Sequence, residues 1–139
     1  MVAPEAVLEK VKQWVEYADE DLRLARHALT MEQPPCRLVS YHAQQCAEKH
    51  FKSYLVLHGV DFPYTHNIAR LLELCVESGA DMDSLRDAEE LTPYAITARY
   101  PGEAEDVALD EATRAVEVAE LVRQVVRRIL AREGAIRVA

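Results

Sequence analysis

His42, Gln45, Glu48, Lys49 and Lys52 recur at steps of three and four along a stretch with no helix breaker. At about 100° per residue they share roughly one third of a helix circumference. Donors and acceptors packed that closely suit an anion, a nucleotide or a polar partner surface. Ordinary charge pairing on a solvated face explains the same spacing. On the opposite side lie Val39, Ala43, Cys46, Ala47, Phe51, Tyr54 and Leu57, the face expected to pack.

Two further positions carry candidate chemistry. Thr65-His66-Asn67 stands at a predicted helix start, where free amides and the positive dipole end favour an anion and where a plain N-cap is the competing reading. Thr97-Ala98-Arg99-Tyr100-Pro101 sets a guanidinium and a phenol beside a proline, a phosphate-binding fork or simply a cation near a helix C-terminus. The arginines Arg123, Arg127, Arg128, Arg132 and Arg137 make a basic end, for which dipole complementarity and solubility are the default reading.

Other chemistries find no signature. His42, His50 and His58 are eight residues apart instead of four, and no acid completes a ligand set, so no metal is expected. No Gly-x-Ser-x-Gly elbow and no glycine-rich phosphate loop occur. Cys36, Cys46 and Cys75 are odd in number and lack Cys-x-x-Cys spacing, which points to reduced thiols, the latter two in the core.

The elements that must hold these residues are helical. Few glycines and only two phenylalanines, with abundant Ala, Val, Leu, Glu and Arg, favour helix over sheet. The spacing predicts a first helix from about Pro4 to Met31, seamed by Val11, Trp14, Ala18, Leu22, Ala25 and Leu29 and stopped by Pro34-Pro35. A second runs from about Pro35 to His58, ended by Gly59; a third begins near Thr65 and ends at Gly79. Asp83 or Ser84 opens a fourth segment that Pro93 should kink or restart. The last helix spans about Ala108 to Arg132, with Ala112, Ala115, Ala119, Val122, Val126 and Ile129 inward. The expected fold is all-α, an up-and-down four-helix bundle with an additional short helix, about five helices in one domain over residues 1–139. The spare apolar surface of the long helices points to a homodimer.

The net charge is −8, and the acid excess lies almost wholly beyond residue 70. General nucleic-acid binding is disfavoured, and a polyanion site belongs in the first half or near the C-terminal arginines. Met1-Val-Ala-Pro-Glu5 lacks a secretory pattern and no apolar run is long enough to span a bilayer, so a cytoplasmic protein away from membranes is expected.

Taken in order, Asp21-Leu-Arg-Leu-Ala25, Tyr41-His-Ala-Gln-Gln-Cys-Ala-Glu-Lys49, Lys52, Pro63-Tyr-Thr-His66 and Ala98-Arg-Tyr-Pro101 before an alanine-rich last helix resemble a HEPN domain over essentially the whole chain. The resemblance implies a helical bundle, usually dimeric, often paired with a minimal nucleotidyltransferase in toxin–antitoxin or nucleotide-handling modules. It implies a binding module whose ligand is a nucleotide or phosphate group, held by Gln45, Glu48, Lys49, Lys52, His66, Arg99 and Tyr100. Ribonuclease toxins of the family carry an Arg, four to six residues, then a His late in the bundle; here no His follows Arg99. Arg37 and His42 have that spacing in the wrong helix. A ribonuclease acting on RNA through Arg37 and His42, or through His66 with Arg99, is the alternative, and a purely structural adaptor the third. No catalytic residue is assigned beyond the candidates His42, His66 and Arg37, and no cofactor beyond a nucleotide.

Overall fold

The computed structural model describes residues 3–95 and 106–137. Four α-helices follow in order: α1 (Glu5–Leu29), α2 (Cys36–Leu57), α3 (Ile68–Glu77) and α4 (Leu109–Arg132), with a 3-10 segment, Asp83–Ala95, between the last two. The described residues are helical with no strand, as composition and periodicity required. Proline and glycine punctuation places the ends. Pro35 precedes α2, and Gly59 beyond it takes a φ of +65°, a left-handed conformation that needs glycine.

Two local differences from expectation have clear causes. Asn67, and not Thr65, caps α3, its side chain accepting from the Arg70 amide at 3.2 Å. The run through Pro93 neither kinks nor restarts; it winds as a 3-10 helix to Ala95. Proline lacks the amide and crowds the carbonyl four residues back, which disfavours α winding there. Arg99 and Tyr100 lie outside the described residues.

α2 is the central element, packing against α1, α3, the 3-10 segment and α4. Its core face holds but for its end: Val39, Ala43, Cys46, Ala47, Phe51 and Tyr54 are buried and Leu57 half-buried, meeting Val11, Val15, Ala18, Leu22 and Ala25 of α1 and Ala115, Ala119, Val122 and Val126 of α4 within one core. Cys46 and Cys75 are buried and Cys36 is half-buried. Ion pairs show the directions. Asp19 meets Arg123 and Arg127 while Arg26 meets Glu120, so α4 runs antiparallel to α1. None of the described helices is long and apolar enough to cross a membrane.

Phe51 is fully buried at the centre of this arrangement. Phe51→Ala should therefore lower unfolding free energy by about 3–5 kcal/mol, read by urea denaturation.

Candidate functional site

The polar sector of α2 is not a solvated face. Gln44, Gln45, Glu48 and Lys52 are all buried, because α1 covers one flank and the loop before α3 folds across the other. A buried carboxylate is tolerated only with donors around it. Glu48, its side chain 4% exposed, has four near it. Lys52 Nζ donates to Oε2 at 2.9 Å, while Oε1 accepts from His66 Nδ1 at 2.7 Å, from Gln44 Nε2 at 3.1 Å and, at the 3.5 Å limit, from Gln45 Nε2. Burial alone raises the Glu48 carboxyl, but the hydrogen bonds from Lys52, His66 and Gln44 outweigh it and hold the group below its ordinary value.

The same network fixes its neighbours. Gln44 Nε2 also donates to the His66 carbonyl, so with the His66–Glu48 bond the loop is tied to α2 at two points, and Gln45 Nε2 steadies Gln44 by donating to its Oε1 at 2.7 Å. Lys52 is 8% exposed and lies 5.6 Å from the ring centroids of both Trp14 and Phe62, two aromatic faces that complement its charge.

A second carboxylate serves the other end of the stripe. Asp21 of α1 accepts from His42 Nδ1 at 2.8 Å through one oxygen and from Lys49 Nζ through the other. A carboxylate only accepts, so Nδ1 carries a proton in both histidine pairs; Nε2 then accepts in the neutral ring and donates in the imidazolium. His66 is 46% exposed and His42 26%, which leaves each ring reachable from solvent. The arrangement can orient two imidazoles and offer them to a ligand at the edge of a buried network.

The candidate residues thus separate into groups. Gln45, Glu48, Lys52 and His66 form one network; Lys49 and His42 join Asp21 in another. Both lysines face carboxylates of this same chain. Arg37 is exposed in the first turn of α2, and five residues of helix turn it about 140° from His42, so the two do not share a face. The start of α3 offers fewer free amides than a bare helix end: Asn67 N–H goes to Thr65 Oγ1, Ile68 N–H to Thr92 Oγ1 and Arg70 N–H to Asn67. His58 sits on the surface, stacked on Tyr54 and paired with Glu133 at 2.8 Å. Among the described residues no set of His, Cys, Asp and Glu converges as a metal site.

Gln44, Asp19, Asp21, Trp14 and Phe62 carry this geometry and were missed as site residues. A signal existed for the two acids. They flank the α1 seam on opposite sides of Ala18 and Leu22, and acids beside a packed seam need cations opposite. Asp21 finds them on α2, and Asp19 finds Arg123 at 2.8 Å and Arg127 at 3.1 Å on α4.

Behind Asp19 lies His50, fully buried. Its Nδ1–H goes to the Cys46 carbonyl at 2.9 Å, and Nε2 has no hydrogen-bond partner. Burial, opposed by nearby Asp19 and the Cys46 carbonyl, brings His50 down to about 4.

The family model of the HEPN domain matches residues 11–129. No curated protein and no solved structure matches the chain.

Two predictions follow from the buried charges. Glu48→Leu, which strands Lys52, should cost about 3–5 kcal/mol in denaturant unfolding, and adding Lys52→Met should restore much of that loss. Between about pH 6.5 and 4 the unfolded chain holds a proton on His50 that the folded one lacks. Stability should accordingly fall with acidification across that window, by on the order of 3 kcal/mol, and His50→Gln should show a flatter slope than the parent.

Proposed function

Because the chain belongs to the HEPN domain family, we propose that it is a HEPN-type binding module: a homodimer that partners a minimal nucleotidyltransferase and takes a nucleotide or phosphate group at the edge of the α2 network. One observation carries the reading. Two carboxylates, Asp21 and Glu48, each hold the Nδ1 of a partly exposed histidine, and Lys49 stands beside His42 on the same carboxylate. A ligand phosphate arriving there would meet a cation already positioned and imidazoles already oriented, each able to donate from Nε2 once protonated, which lowers the ordering cost of binding. Gln45, Glu48 and Lys52 act from beneath as the rigid support. The reading extends to Arg99 and Tyr100. Exposed Tyr17 and Leu24 on α1 and Leu121 on α4 are apolar surface that a second copy would cover, which supports the dimer.

The oriented histidines also favour a second reading, a ribonuclease toxin in which His42 or His66 moves the proton of a ribose hydroxyl. Expression would then deplete RNA and arrest growth, and His42→Ala or His66→Ala would abolish both.

Native mass spectrometry of the protein purified from its own host should show a dimer carrying a nucleotidyltransferase or a mass increment of a nucleotide. Calorimetry against ATP should then find Lys49→Ala and His66→Ala weakened by about 1.5–3 kcal/mol. Unchanged affinity in both variants refutes the site, and a bare dimer that binds no nucleotide refutes the module.

A further inference from the structure

The far side of the molecule gathers cations that the α2 network does not use. Arg123, Arg127, Arg128, Arg132 and Arg137 line one groove of about 430 Å3, completed by the uncharged Gln124 and Ile136, and no acid lines it. A single cation in a last turn is explained by the helix dipole. Five in one groove are not, in a chain whose net charge is −8. Like charges at this spacing repel, and an anion of matching valence relieves the repulsion.

Two of the guanidiniums are held in place. Arg123 gives Nε and Arg127 gives Nη1 to Asp19, one contact each, so the other N–H groups of both forks remain for a ligand. His50 lies behind that anchor. Its unpartnered Nε2 stands 3.7 Å from Asp19 Oδ1, acceptor against acceptor, which favours the carboxylate turning to the arginines. Arg128, Arg132 and Arg137 meet no carboxylate among the described residues.

We propose that this groove binds a small, multiply phosphorylated anion. Terminal phosphate oxygens accept from several guanidinium forks at once, where a single carboxylate offers two oxygens. The volume lies toward the small end of ligand sites. No aromatic ring lines the groove to stack a base, and the net charge of −8 opposes a long polyanion while a compact one stays inside the local positive field.

Titration calorimetry with inorganic tripolyphosphate at low salt tests this. The parent protein should bind, Arg128→Ala/Arg132→Ala should weaken binding at least tenfold, and Arg137→Ala, outside the helix, severalfold, each with unchanged circular dichroism. Arg86→Ala, an exposed cation elsewhere, should bind like the parent. Absence of binding by the parent overturns the proposal, and so does equal weakening by Arg86→Ala. A hexaglutamate peptide binding as tightly as tripolyphosphate would overturn it in favour of an acidic protein partner. Affinity for single-stranded RNA that keeps rising with length, lost in the same arginine variants, would overturn it in favour of nucleic acid.

Discussion

Glu48 lies where water hardly reaches, and a carboxylate in such a place must find donors or take up a proton. Its placement follows from α2, which packs against every other described element and has little surface left for solvent. A helix in that position is expected to be apolar all round. α2 keeps Gln44, Gln45, Glu48 and Lys52 instead, and the surroundings are built to suit them. The loop carrying His66 turns its carbonyl and Nδ1 inward, and Trp14 and Phe62 bracket the Lys52 ammonium. Replacing such a pair by apolar groups of similar shape is often tolerated energetically, whereas removing one partner strands the other and is costly.

α1 is shaped by the same demand. Its seam of Val11, Val15, Ala18, Leu22 and Ala25 packs as any amphipathic helix would, but the acids at each shoulder of the seam set its rotation. Asp21 accepts its hydrogen bonds from α2 and Asp19 accepts its own from α4. Turning α1 by one position would strand both acids, so the two ion clusters act as a register for the three long helices.

The helices themselves were legible in the sequence to within about three residues, because Pro34-Pro35, Gly59 and Gly79 punctuate them and the apolar periodicity of α1, α2 and α4 is sustained. The site was legible only in outline. Periodicity places Gln45, Glu48, Lys49 and Lys52 on one sector, yet it does not say what covers that sector. The cover comes from Trp14 and Asp21, more than twenty residues earlier, and from Phe62 and His66 in a loop without periodic signal. Lysines that read as phosphate ligands in isolation therefore turn out to face carboxylates of the same chain. At Pro93 local chemistry alone foretold a break, and the alternative winding of the segment removed the need for one.

The buried thiols extend these constraints into reactivity. Cys46 and Cys75 are both sealed in the core, and burial raises each thiol, Cys75 to about 12. A thiol reacts as its thiolate and only where a reagent can touch it. In the closed bundle both conditions fail at both cysteines, while Cys36 at the start of α2 is only half-buried and can be touched. Oxidants would therefore mark Cys36 in the folded protein and the other two only in molecules whose helices have come apart. The pattern of modified cysteines becomes a record of how often the bundle opens.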